Sequence, residues 1–404
     1  IVQLMVCKGD KMISKRIQAV QPAATLAMSR MAKDMQAQGI DVINLGVGES
    51  DFQTPDNITQ AAIKAIENHQ TSFYTPTSGL NALKSAIVSQ VKTRYAADIL
   101  IDNVTVTTGA KLSLFALMQV LLNPGDNVVS AAPLWVSYVE QIKLASGKLH
   151  AIIPNNPELK LTREDLDAFP EQIKLIIVNS PNNPTGQVYS KAEIMAILEW
   201  AEAHETYVIL DEIYGQLVYN GTTFTSGLQI QSLENSRMII VDGVSKAYAM
   251  TGWRIGWTLA SSEIIKGMNK LLDHMTSNPT AVAQYAAIEA LLGDQSTVET
   301  MRLAFEQRLN KTFDALNSVP GLQVAVKPQG AFYLFPKVDN STMLAAGVNN
   351  TNDLSMKLLQ EAHVALPAGE GFSMPGYLRM GYAKDQAVLN EAVQRLTNFF
   401  QQYK

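Results

Sequence analysis

The sequence predicts an α/β protein, and three features carry that prediction. Helical and strand-like patterns alternate from Asn57 onward, several short runs are continuously apolar and β-branched, and 404 residues exceed what one core usually serves. Alternation implies parallel strands joined by crossover helices, and apolar runs without polar alternation imply strands covered on both faces. The strand candidates are residues 104–108, 127–131, 175–179, 207–210, 238–241 and 257–260, with helices expected at 112–122, 136–145, 191–204 and 262–275. From about Thr297 the character changes. A long helical pattern leads to Val319-Pro320-Gly321, followed by short strand-like runs at 322–326 and 331–336. The amphipathic segment 23–38, stopped by Gly39 as a helix-ending glycine, is expected to join this part. The expected division is a large domain over 57–295 and a small α+β domain built from 1–56 and 296–404.

Composition narrows the function. Apolar residues make up 47% and charged residues 17%, which fits a packed globular chain, and no uninterrupted apolar run is long enough to cross a bilayer. The net charge of -5, from 32 basic and 37 acidic residues, comes without a basic block, so nucleic acid is not an expected partner. Cys7 is the only cysteine, which rules out an internal disulfide framework and makes a reducing, cytoplasmic setting the expectation. Ile1 to Lys11 lack the features of a signal peptide and are expected to be a cloning remnant, with Met12 as the candidate start. His69, His150, His204, His274 and His363 show no metal-ligand spacing, so no metal is expected.

The chemistry centres on Lys246. It closes Gly243-Val244-Ser245-Lys246, just past the apolar run 237–241, and Arg254 follows inside Thr251-Gly252-Trp253-Arg254-Ile255-Gly256. The end of a parallel strand is where open α/β sheets place ligands. A lysine among small residues with a fixed arginine behind it suits imine formation with an aldehyde cofactor beside a bound phosphate. A Ser-Lys pair alone is a weak signal and reads far more often as a surface turn. Asp211, delivered by the run 207–210, would keep a pyridine nitrogen protonated, or would merely cap a helix. Thr107-Thr108-Gly109-Ala110-Lys111 joins a strand to a helix, whose first N–H groups can cradle a phosphate. Trp135 offers a stacking face or ordinary core packing. Asn183, in Ser180-Pro181-Asn182-Asn183-Pro184-Thr185-Gly186, offers a hydrogen bond or a simple turn.

Together with Asp211-Glu212-Ile213-Tyr214 and Tyr74-Thr75-Pro76-Thr77-Ser78-Gly79, these motifs resemble the class I aminotransferases of fold type I, from about Ser14 to the C-terminus. The resemblance implies pyridoxal 5'-phosphate as cofactor, a mostly parallel seven-stranded sheet flanked by helices, a small α+β domain and a homodimer with sites at the subunit interface. It implies Lys246 as the Schiff-base lysine and later general base, Asp211 as the partner of the pyridine nitrogen, and Tyr214 and Asn183 as contacts of the phenolic oxygen. Arg254, Gly109, Ala110 and Lys111 would form the phosphate region, with Ser245 assisting and Tyr74 arriving from the neighbouring subunit. Trp135 and Ile213 would cover the two ring faces. Arg379, in Tyr377-Leu378-Arg379-Met380-Gly381-Tyr382, matches the arginine that grips the substrate α-carboxylate, and Gly46, in Asn44-Leu45-Gly46-Val47-Gly48-Glu49, the glycine whose N–H faces the same group.

For the amino acid itself, Lys111 and Thr25 in Pro22-Ala23-Ala24-Thr25 match residues that bind the distal carboxylate in similar bacterial aspartate aminotransferases. An unpaired ammonium facing an apolar ligand is costly, so aspartate with 2-oxoglutarate, in ping-pong order, is the expected pair. Lys111 pointing to solvent or to the phosphate is the other reading. An aromatic or broad-specificity aminotransferase and a carbon–sulfur lyase share the same cofactor residues. A transcription-regulator sensor domain would need a DNA-binding element that the roughly forty preceding residues do not suggest.

Overall fold

The structure, a computed structural model, describes residues 13–22 and 24–403, with the backbone alone at Ala24 and Thr25. Cys7, Met12 and Ile1 to Lys11 lie outside the described residues. Seven strands form the main sheet: β1 (Val104–Thr107), β2 (Asn127–Ala131), β3 (Lys148–Ile152), β4 (Leu175–Asn179), β5 (Tyr207–Asp211), β6 (Met238–Gly243) and β7 (Gly256–Leu259). Their order is β1-β7-β6-β5-β4-β2-β3, parallel throughout except that β7 runs antiparallel to both neighbours.

The strands predicted from apolar runs are all present, displaced by no more than two residues at any end. Their continuous apolarity has a direct cause. In β4, Ile176 and Val178 enter one core layer while Leu175 and Ile177 enter the other, and all are at most 2% exposed. The strand missed from sequence is β3, whose residues Lys-Leu-His-Ala-Ile pair only with β2 at the sheet edge. Its side chains are exposed or half-buried, so no apolar run marks it.

Helices cover both faces. Asp56–Glu67, Asn81–Tyr95, Lys191–Ala203 and Ala281–Leu292 pack on one side, Ala110–Leu121, Val136–Leu144 and Ser262–Leu272 on the other. Ser190 starts Lys191–Ala203 with a reciprocal cap to Glu193, a local reason for the helix to begin where it was expected. The helix expected at 112–122 begins two residues earlier, at Ala110, because Gly109 turns the chain with φ +80° and lets its first turn form at once.

The C-terminal part packs the long helix Ser296–Asn317 and Gln386–Gln401 around Phe305, Phe332, Leu358 and Phe400. Its strands are two-residue pieces: Leu322–Gln323 pairs antiparallel with Lys337–Val338, and Tyr333–Leu334 with Met380–Gly381. These are far shorter than the runs 322–326 and 331–336. Ile43–Asn44 adds in parallel to Val364–Ala365, and the helix Ala24–Ala37 packs Met28 and Ala32 against Leu359 and Ala365.

Candidate active site

One edge of the sheet collects the chemistry. The register places Asn179 beside Asp211 and Asp211 beside Val241, so the parallel strands β4, β5 and β6 end together. Because β7 runs the other way, the residues just before it, Arg254 among them, lie at the same edge. A cavity of about 370 Å³ opens there, lined by Lys246, Asp211, Asn183, Tyr214, Ser245, Ile213, Ala110, Lys111, Trp135, Arg254, Arg379 and Gly46.

Lys246 is half-buried, and its Nζ donates to the Gly48 carbonyl at 2.6 Å. Burial first, and then the charges of Arg379 and Arg254, push its amine down to about 8, against weaker opposition from Glu49 and Asp211. A lysine in that range is partly neutral near physiological pH, as a nucleophile or base must be.

Asp211 is 4% exposed at the end of β5. Burial pushes its carboxyl up to about 6, while the Tyr138 hydroxyl, at 2.5 Å from Oδ2, the Ile213 N–H, at 3.3 Å from Oδ1, and the Lys246 charge pull it back. Tyr138 was not singled out in the sequence. It stands three residues after Trp135 on the helix Val136–Leu144 and its cap, and that i, i+3 spacing is the signal that would have found it.

Arg379 is 3% exposed, with Nη1 donating to Asn183 Oδ1 at 3.1 Å and Nη2 to the Gly46 carbonyl at 2.5 Å. Its Nε is buried without a partner. The Gly46 N–H, expected to face a substrate, here donates to Asn44 Oδ1 at 3.1 Å, and it is the Gly46 carbonyl that meets Arg379. Asn183 is fixed through its own N–H, which donates to Asn179 Oδ1 at 2.7 Å.

Arg254 is held by a bond from Nη1 to the Thr251 carbonyl at 2.8 Å and presses against Gly109, where an added Cβ would fall 2.3 Å from Nη2. Lys111, an exposed residue in the first turn of Ala110–Leu121, brings its Nζ to 5.0 Å from the Trp135 ring centroid. Partial desolvation, then the Arg254 charge, lowers its amine from the ordinary value. Tyr74 stands apart at 92% exposed, beside Phe73 at 83%, and does not line the cavity of its own chain. The Thr25 side chain lies outside the described residues, while Leu26 and Ser29 of the same helix line the cavity. Tyr333 lines the cavity and was likewise not marked by the sequence, since no local motif surrounds it. Among the described residues no group of His, Cys, Asp and Glu could hold a metal ion, and no helix is long and apolar enough to cross a membrane.

Residues 40–396 match the family model for aminotransferase class I and II. An asparagine–oxo-acid transaminase from Streptococcus mutans is 44% identical over 96% of this chain and 99% of its own length. An aspartate aminotransferase from Geobacillus stearothermophilus is also 44% identical, over 96% of this chain and 99% of its own. Among solved structures, the aspartate aminotransferase of Thermotoga maritima superposes with a TM-score of 0.88 at 35% identity, covering 96% of this chain and 100% of the other. A sheet of this topology, with a half-buried lysine beyond the ends of its parallel strands and full-length relatives of this kind, leaves one assignment: the chain belongs to the class I and II aminotransferases.

Proposed function

We propose that this aminotransferase uses pyridoxal 5'-phosphate to move the amino group of L-aspartate to 2-oxoglutarate in ping-pong order. The observation that carries the cofactor is Lys246, an amine held down to about 8 in a cavity with a buried carboxylate and two arginines. The residues fit the group. Gly109 leaves under Arg254 a cradle that a Cβ would fill, and the buried Arg379 Nε still lacks an acceptor. Arg254 with the N–H groups opening the helix Ala110–Leu121 would hold the phosphate, helped by Ser245. Trp135 and Ile213 would cover the ring faces, and Tyr214 with Asn183 the phenolic oxygen. When bound, the cofactor supplies an electron sink for the α-carbon of the amino acid.

The chain's own residues supply the rest. The Asp211 carboxylate, kept ionised by Tyr138, Ile213 and Lys246, would keep the cofactor's ring nitrogen protonated. Asn183 Oδ1 accepts from Arg379 Nη1, which leaves its Nδ2 as the donor for the phenolic oxygen. Arg379 receives the α-carboxylate with a planar fork that lysine cannot imitate. Lys246, as a neutral amine, would take the α-proton of the amino acid and then give it up to the cofactor side, the proton shift that transamination requires.

Support for aspartate comes from Lys111, whose ammonium stands beside Trp135 at the cavity, and from the full-length relatives named aspartate aminotransferases at 40–44% identity. Thr25 completes this proposed distal site. The Streptococcus mutans relative makes asparagine the second reading, since aspartate and asparagine differ only in the group that would meet Lys111. Specificity constants for aspartate, asparagine and phenylalanine, in the wild type and Lys111→Ala, separate the readings. Aspartate is expected to lead and to lose its lead in the variant, and a lead that survives would exclude Lys111 from the distal site. A visible band that shifts on adding aspartate tests the cofactor.

In this reading the domains 57–295 and 1–56 with 296–404 flank the cavity, and the enzyme works in the cytoplasm. A second copy covers the adjacent exposed rings of Phe73 and Tyr74, bringing Tyr74 to the neighbouring phosphate.

A further inference from the structure

Tyr333 meets three of the groups that line the cavity, yet no motif contains it. Its short strand Tyr333–Leu334 pairs with Met380–Gly381, which sets Tyr333 opposite Gly381 and close to Arg379. The side chain is 1% exposed, and it meets three groups at once. Its Oη lies 2.8 Å from Tyr214 Oη. The Arg379 guanidinium carbon stands 4.6 Å from its ring centroid, with Phe372 at 4.9 Å from the same carbon. Gly48 approaches so closely that an added Cβ would lie 2.3 Å from Tyr333 Oη, and the Gly48 carbonyl holds Lys246 Nζ.

We propose that Tyr333 is a positioning residue for transamination, with its hydroxyl and its ring serving different partners. The hydroxyl orients the Tyr214 phenol, and the ring face supports the Arg379 guanidinium in the orientation that receives a carboxylate. The proposal rests on the roles given above to Tyr214 and Arg379.

The hydroxyl argument is one of proton supply. A phenol has a single proton, so a Tyr214 that donates toward the cavity cannot also donate to Tyr333. Tyr333 then donates to Tyr214 Oη, and this second bond both fixes the first phenol and strengthens its donation, as hydrogen-bond chains polarise one another. The ring argument is electrostatic. A guanidinium over the face of a phenol is attracted by the ring quadrupole, more strongly where water is excluded, and it also loses freedom to turn away. Phenylalanine keeps the ring and loses the hydroxyl, whereas leucine loses both.

The two parts separate by experiment on the holoenzyme. Tyr333→Phe is expected to lower kcat for aspartate roughly three- to tenfold with KM and the dissociation constant of maleate, a non-reacting dicarboxylate, changed less than about twofold. The pH midpoint of its visible absorption band is expected to move upward by roughly half a unit, because a donor to the phenolic oxygen favours the deprotonated form. Tyr333→Leu is expected to add a rise of about tenfold or more in both KM and the maleate constant. An unmoved spectral midpoint and kcat in Tyr333→Phe would overturn the hydroxyl role. Equal maleate affinity in the two variants would overturn the ring role, and Phe alone decides the first part if Leu does not fold. Tyr214→Phe and the double variant complete a cycle: if Tyr214→Phe moves the midpoint and Tyr333→Phe adds nothing to it, the two phenols act as one unit. If Tyr214→Phe leaves the midpoint in place, the assignment of Tyr214 fails rather than that of Tyr333. Additive shifts in the double variant would overturn the coupling.

Discussion

Tyr138 Oη donates to Asp211 Oδ2 at 2.5 Å, and neither side chain is more than 4% exposed. With the Ile213 N–H as the other donor, the carboxylate depends on this bond to stay ionised. Tyr138→Phe is expected to weaken pyridoxal phosphate binding roughly ten- to a hundredfold, the worth of one hydrogen bond to a buried charge. Equilibrium dialysis of the apoenzyme measures this, and unchanged affinity would remove Tyr138 from the site.

Lys246→Ala should abolish turnover while cofactor is still retained by the other contacts. In the wild-type apoenzyme the amine sits at about 8, so acetylation of Lys246 should climb with pH and level off above that value. A midpoint near the ordinary lysine value would mean that burial and the two arginines do not press on it as the geometry requires.

At the phosphate end, Gly109→Ala puts a Cβ 2.3 Å from Arg254 Nη2 at a residue with φ +80°. Arg254 must move or the backbone must strain, at about 1–3 kcal/mol. Cofactor affinity should drop at least about tenfold, while the substrate end, judged by maleate protection of Arg379, stays intact. Normal affinity would show that Arg254 does not depend on that cradle.

Arg379→Lys keeps the charge but loses the two-pronged contact to Asn183 Oδ1 and the Gly46 carbonyl. The KM for aspartate is expected to rise roughly thirty- to a hundredfold, with a smaller change in kcat. A kcat loss with KM unchanged would place Arg379 outside substrate binding.

Buried carboxyls give the apoenzyme a characteristic pH response. Burial pushes Asp211 up to about 6 and Glu212 up to about 8, the latter against the Gly227 N–H and the Ser226 side chain. Both values are raised above those of the unfolded chain, so the native state binds more protons between about pH 4 and 8. Their contribution to stability is fully present below about pH 4 and is lost as pH rises through 6 and 8. The apoenzyme should therefore melt at a lower temperature at pH 8 than at pH 5. Glu212→Gln should flatten the upper half of that slope, and an unchanged slope would show that Glu212 titrates as an exposed acid.

Much of the site was legible because the chemistry of its core residues sits at strand ends. A parallel strand buried on both faces writes itself as an apolar run, and the residue after the run lies at the ligand edge, so Asp211 and Lys246 could be read directly. The capping box at Ser190 and the turn at Gly109 are local signals of helix starts, though the helix after Gly109 was expected two residues too late. The edge strand β3 was not legible, since one exposed side leaves no continuous apolar signal. Tyr138 and Tyr333 were missed because their roles are set by what stands opposite them, 73 and 119 residues away in sequence.

The sequence by itself determined the α/β class and the strands that end at Asp211 and just before Lys246, because periodicity and turn chemistry are local, while the resemblance of its motifs implied the remaining site residues. Only the tertiary structure decided which way those groups are spent. It turns the Gly46 N–H to Asn44, lays Arg379 over Tyr333, and gives Lys246 its neighbours at Gly48, Arg254 and Arg379. Burial and charge act through space rather than along the chain, so the Lys246 amine proposed as the base has its pKa set by residues that meet only in the fold.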